Sequence, residues 1–191
     1  MATALRSARQ RGPPTYDGTD QTPLQGHTPR RHDTDTQVHL RRSTKMRLAP
    51  EQARARLAAH DHGILCTVHA VRGVDAVPVA FAVDEDDFVG VPVDRVKPKS
   101  SSRLQRERNL EADPRATLLV EHWDRDDWSR LWWVRAELHL VADTPADLVA
   151  ALAARLAARY PQYQDQPFTR LLVLRIVGLT GWAAAAEPGR P

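Results

Sequence analysis

The sequence predicts a mainly β, α+β domain in which six mostly antiparallel strands form a closed or nearly closed barrel with three peripheral helices. Three observations predict it. Six short runs rich in valine, leucine and aromatic residues are separated by Gly, Pro or Asp. Leu104 and Leu110, and then Leu148, Val149, Leu152 and Leu156, fall at helical rather than strand spacing. An apolar content of 42% in 191 residues suffices for one moderate core, and closing a sheet of short strands removes its exposed edges.

The elements follow in order. Pro50 suits a helix first turn, and Glu51, Ala53, Ala55, Leu57, Ala58 and Ala59 continue a short helix that ends near Gly63. Ile64 to Ala70, Ala76 to Val83 and Phe88 to Val93 read as three strands of an antiparallel meander, turned at Arg72-Gly73 and at the acidic run Asp84 to Asp87. Ser100 to Ala112 reads as an amphipathic helix, stopped by Asp113-Pro114. Strands resume at Ala116 to Trp123 and Arg130 to Val141. A helix from Thr144-Pro145 to Tyr160 and a strand from Leu171 to Thr180 complete the chain's body.

Residues 1–45 consist largely of Arg, Gln, Thr, Pro, Gly and Asp without apolar periodicity, so burial cannot offset their ordering entropy. They are expected to form a disordered basic leader, with the folded domain spanning 46–187 and Met46 placed where a start codon would serve that domain. The leader's seven arginines and Lys45 outnumber its four aspartates, a surplus of four positive charges that leaves the body at −1. A near-neutral body argues against a nucleic-acid partner. No run reaches the roughly 18 apolar residues of a membrane span, and no secretory signal precedes the domain, so the expected compartment is the cytoplasm. The single cysteine, Cys66, excludes an internal disulfide and, within Ile64 to Val68, reads as a buried thiol.

The most informative stretch is Val93-Asp-Arg-Val-Lys97-Pro-Lys99-Ser-Ser101-Ser-Arg103. It sets the body's only two lysines at the end of a strand and three hydroxyls at the start of a helix. Free N–H groups and the dipole at a helix amino terminus favour an anion, so Lys97, Lys99, Ser101 and Arg103 could cradle a phosphate or phosphodiester. The same serines would equally serve as helix caps beside solvated lysines.

Three segments carry a resemblance: Lys97-Pro-Lys-Ser-Ser-Ser-Arg-Leu, Arg108-Asn-Leu-Glu-Ala-Asp-Pro-Arg-Ala and Asp127-Trp-Ser-Arg-Leu-Trp-Trp-Val-Arg-Ala. Together they resemble the F420-dependent branch of the pyridoxamine 5'-phosphate oxidase-like family, over roughly residues 48–185. The resemblance implies a homodimeric split β-barrel of the FMN-binding type, with the cofactor between subunits, and hydride transfer between F420 and a small organic substrate. FMN is the alternative cofactor, and a non-catalytic flavin- or haem-binding protein on the same fold is the alternative role. By position, Lys99 matches the family's phosphate lysine, with Ser101 and Arg103 beside it. Pro78, Val79 and Ala80 match backbone positions that border the ring, Pro92 and Val93 match contacts on the third strand, and Trp133 matches a cofactor-side position. A longer phosphodiester tail would reach a basic rim of Lys97, Arg103 and Arg106.

Trp132 and Trp133 are adjacent on a strand and so point to opposite faces, one to the core and the other to a ligand or partner subunit. Core and interface packing is the commoner use of such residues, and it applies equally to Trp123 and Trp128. His60 and His62 have no third ligand at metal spacing, and Asp84 to Asp87 lacks a Ca²⁺-loop pattern. Asp124, Asp126 and Asp127 read as polar edging of a loop. No nucleophile elbow, P-loop, dinucleotide fingerprint or acid–base pair is present, which agrees with chemistry carried by a cofactor.

Overall fold

The computed structural model describes residues 46–94 and 103–185. The predicted leader and the segment holding Lys97, Lys99 and Ser101 lie outside the described residues. Helix α1 (Pro50–Ala59) leads into β1 (His62–His69), β2 (Gly73–Ala80), β3 (Ala82–Val83) and β4 (Phe88–Asp94). Helix α2 (Gln105–Ala112), β5 (Arg115–His122), a 3-10 turn (Trp128–Arg130) and β6 (Trp132–Leu140) follow. Helix α3 (Ala146–Arg159), a second 3-10 turn (Pro161–Tyr163) and β7 (Phe168–Ala183) end the fold.

One antiparallel sheet of seven strands, in the order β2-β1-β5-β6-β7-β4-β3, curls into a half-barrel. Seven replaces the expected six because the second predicted strand breaks at Phe81. This residue is fully buried, and its carbonyl accepts a hydrogen bond from the Tyr160 hydroxyl at 3.2 Å. The break sends β2 to pair with β1 and β3 to pair with β4, at opposite ends of the sheet order. The expected meander is therefore two hairpins joined by a single residue. Gly73 takes φ +84° in the β1–β2 turn, a left-handed conformation that favours glycine. Gly63 lies within β1 rather than ending α1, and a Cβ there would meet the Leu119 carbonyl oxygen at 2.8 Å.

β7 is the longest strand, with 16 residues. Its first half pairs with β4, from Phe168 opposite Asp94 to Arg175 opposite Phe88, and its second half continues along β6 to Ala183 opposite Trp132. The concave side holds Leu65, Phe81, Val89, Val91, Leu118, Val120, Val134, Leu138 and Leu174, closed by Leu57 of α1 and Leu110 of α2. Burial of these side chains, each contributing roughly 1.5–3 kcal/mol, is the main stabilising contribution. A smaller cluster of Ala82, Leu156 and Tyr163 packs α3 against β3.

Helix α2 is tied to the first hairpin by polar bonds. Buried Asn109 donates from Nδ2 to Thr67 Oγ1 at 2.9 Å and to Asp75 Oδ2 at 3.1 Å, while Gln105 donates to its Oδ1 at 2.9 Å.

The convex side runs as cross-strand rows. Pro78, Ile64, Leu119, Arg135 and Thr180 form one, and Ala76, Cys66, Thr117 and Glu137 another. Ile64, Val68 and Val74 are exposed on this face. Cys66 is half-buried here rather than buried in the core, and burial still pushes its thiol above the ordinary range.

Candidate cofactor site

The rim formed by the end of β4 gathers several of the expected contact residues. Pro92 and Val93 are buried and pair with Leu171 and Arg170 of β7. Proline is tolerated at this point because β3 pairs only with Val89 and Gly90, leaving the edge beyond them without ladder bonds among the described residues. The two carbonyls are held by side chains: Arg106 Nη2 donates to Pro92 O at 3.1 Å, and Thr169 Oγ1 donates to Val93 O at 2.7 Å.

Ala80, at the end of β2, packs in the same apolar cluster as Leu171, the cross-strand partner of Pro92. Ala80 and Leu171 thus pack on one cluster, at the corner where β4 ends in Pro92, Val93 and Asp94. Val79 instead points into the main core, and Pro78 is exposed on the convex row.

Charged and polar side chains surround the rim. Tyr163 donates its hydroxyl to Asp94 Oδ2 at 2.8 Å. Burial first, and then the bond to the Asp94 carboxylate, push the Tyr163 phenol above its ordinary range, so it stays protonated and keeps donating. Arg106, in the first turn of α2, faces Asp94, Glu107 and Tyr163, and burial lowers its affinity for a proton. Its Nε is buried and has no hydrogen-bond partner among the described residues. Arg103 pairs with Glu111, and Arg170 Nε donates to buried Glu107. Glu107 and Glu111, Arg103 and Arg170, with Leu140 and Leu172, line a cleft of about 510 Å³.

The amino terminus of α2 differs from expectation. Leu104 is the N-cap, and Glu107 folds back to accept the Leu104 N–H at 2.6 Å. The helix begins at Gln105, and its first turn is capped by its own carboxylate. Among the described charges here, Arg103, Arg106 and Arg170 are balanced by Asp94, Glu107 and Glu111.

Trp133 is not brought to this corner within one chain. It is half-buried on the convex face, paired with Trp182 and Glu121, whereas Val93 pairs with Arg170. Positions 170 and 182 of β7 are separated by about 40 Å along a fully extended strand at roughly 3.3 Å per residue. Trp132 packs against the core, as expected of the opposite face.

Three residues of the rim escape sequence reasoning: Tyr163, Glu107 and Arg170. The signal for Glu107 was an acid in the first turn of a helix. Tyr163 and Arg170 arrive from the far end of the chain, and no local pattern pairs them with Asp94 or Glu107.

No family model matches the sequence, and no curated protein matches it. Solved structures do share its fold. Conserved hypothetical protein Rv2991 from Mycobacterium tuberculosis aligns with a TM-score of 0.58 and 18% identity, over 77% of this chain and 93% of the other. An FMN-binding protein from Syntrophomonas wolfei subsp. wolfei aligns with a TM-score of 0.51 and 18% identity, over 76% and 91%. HutZ, a heme storage protein from Vibrio cholerae, aligns with a TM-score of 0.51 and 17% identity, over 70% and 94%. The curled antiparallel half-barrel of seven strands is consistent with the split-barrel fold. At these identities the likeness is one of fold alone.

Among the described residues, no group of three or more His, Cys, Asp or Glu side chains could hold a metal ion, and no helix is long and apolar enough to cross a membrane.

Proposed function

We propose that this chain is a homodimeric oxidoreductase that holds a flavin-type cofactor at the corner of Ala80, Pro92, Val93 and Arg106, with F420 as the cofactor and a small organic molecule as the substrate. The observation that carries this reading is Arg106. Its buried Nε has no hydrogen-bond partner among the described residues, and its Nη2 donates to Pro92 O near the end of β4, which the segment of Lys97 and Lys99 follows in sequence. A buried guanidinium N–H without an acceptor is costly, and a phosphate oxygen would satisfy it. The residues present therefore fit an anionic cofactor.

In this reading Arg106, Lys99 and Ser101 grip the phosphate, with Lys97 and Arg103 at its rim. The backbone of Pro78, Val79 and Ala80, together with Pro92 and Val93, borders the ring and keeps water from one side of it. When bound, the tricyclic ring supplies hydride transfer. Tyr163, fixed on Asp94, holds the rim and carries no proton to the substrate. The convex face, with Ile64, Val68 and Val74 exposed, receives the second copy, from which Trp133 reaches the ring.

The second reading, FMN in place of F420, is favoured by a solved neighbour described as FMN-binding, while HutZ keeps a haem-binding role on the same fold in view. The test is a titration of ligand-free protein with F420 and with FMN, followed by tryptophan fluorescence. The expected outcome is saturable quenching with tighter F420 binding, because the longer tail adds charged contacts at Lys97 and Arg103. That advantage should shrink with salt, since exposed charges are screened over about 10 Å at 0.1 M. Tighter FMN binding would make the chain an ordinary flavoprotein. Binding of neither would overturn the assignment.

A further inference from the structure

A second cluster of titratable groups lies at the corner where α1, β1, β5 and β6 meet, and the proposed cofactor reading does not use it. Its centre is Trp132. The Arg56 guanidinium lies over the indole at 4.8 Å, His122 stacks on it at 6.2 Å with 18° between planes, and His60 meets it edge-on at 5.5 Å. His62 in turn stacks on His60 at 5.6 Å. We propose that this corner is an acid-sensitive latch: protonation of His60, His62 and His122 gathers like charges beside Arg56 and opens the packing of the α1–β1 connection against Trp132.

The groups facing the cluster come from every element around it. Helix α1 supplies Arg56, the connection supplies His60 and Asp61, β1 supplies His62, and β5 supplies Glu121 and His122. From α3, Arg159 donates to the carbonyls of His60 and Ala58, and the Tyr160 hydroxyl donates to the carbonyl of Asp61. At neutral pH the two acids face two fixed cations, Arg56 over the indole and Arg159 on the carbonyls of His60 and Ala58. With the imidazoles charged, five cations face Asp61 and Glu121. One face of the ring already holds the guanidinium, so cation–π attraction cannot accommodate all of the new charges. Histidine is the side chain whose charge changes between pH 5 and 8. Burial, and then the charge of His62, lower the His60 pKa below 6.5, so His60 takes its proton below the ordinary histidine midpoint.

The latch is separable from the cofactor reading, because its readout needs no ligand. Full-length protein is titrated from pH 8 to pH 5 while tryptophan emission is recorded, and the same titration of Trp132→Phe isolates the Trp132 contribution by difference. The expected result is a reversible sigmoidal change with a midpoint below 6.5. His62→Gln, at an exposed position, should move that midpoint upward, and the double variant His60→Gln/His122→Gln should abolish the change. If Trp132→Phe does not fold, the indole Nε1–H resonance of Trp132 in the unsubstituted protein gives the same reading by NMR. A Trp132 signal that stays flat across this range overturns the latch, as does an unchanged transition in the double variant.

Discussion

Arg170, on the last strand, donates to the carboxylate of Glu107, which is 5% exposed and also accepts the Leu104 N–H that opens α2. Burial alone would raise the Glu107 carboxyl, but the Arg170 bond and the backbone N–H outweigh it and hold the group below its ordinary 4.5. A carboxyl depressed in the folded state contributes stability above its unfolded value and loses it as pH falls through the folded one. Stability should therefore decline from about pH 4.5 downward. Glu107→Gln should lower the neutral-pH stability by about 1.5 kcal/mol and flatten that decline, as measured by urea unfolding at several pH values. An equally steep acid limb in the variant would assign the decline to other carboxylates.

The phosphate grip is tested by three substitutions. Arg106→Gln and Lys99→Ala should each weaken cofactor binding by about one to two decades, equivalent to roughly 1.5–3 kcal/mol for a charge-assisted contact. Lys97→Ala should cost much less. Isothermal titration with F420 and FMN measures all three, and negligible effects at Arg106 and Lys99 would remove the site from this corner.

Asn109 is 3% exposed and joins α2 to Thr67 and Asp75. Asn109→Leu should destabilise the fold by about 1–3 kcal/mol, because Thr67 and Asp75 lose their donor while the new side chain forms no hydrogen bond. Thermal melts compare it with Arg72→Ala, which removes only an exposed partner of Asp75 and should cost well under 1 kcal/mol.

Truncation separates the leader from the barrel. A chain begun at Met46 should keep the melting temperature of the full sequence, as the composition of residues 1–45 implies. A chain begun at Pro50 should melt lower. It loses the hydrogen bonds from Leu48 N to Gly181 O at 3.0 Å and from Ala183 N to Met46 O at 2.9 Å, together with the packing of Leu48 on the core.

Much of this architecture was legible in local patterns. Alternating apolar residues placed β1, β4, β5 and β6 within a few residues of their bounds, and the spacing of Leu152 and Leu156 placed α3. The break at Phe81 was not legible, because Ala76 to Val83 reads as one continuous strand and only the buried environment of Phe81 divides it. The extent of β7 was hidden too. Arg175, Gly178 and Gly181 interrupt its apolar run, yet pairing with β4 and β6 carries the strand through them. At the candidate site, Pro92 and Val93 end β4, and Ala80 packs on the same cluster as Leu171, the partner of Pro92. Arg106 takes its place through a long-range bond to Pro92 O, and Glu107 caps the first turn of α2 at the Leu104 N–H.

The division of β7 between two neighbours sets an order of events during synthesis. β1, β2, β5 and β6 can pair with one another as they leave the ribosome, but β4 has only the two residues of β3 beside it until the last strand emerges. Phe88 waits 87 residues for Arg175. For that interval Val89 and Val91, wholly buried in the finished barrel, belong to a strand with an open edge, the kind of nascent segment that chaperones retain. Translation must run nearly to the end of the domain before the half-barrel can be completed.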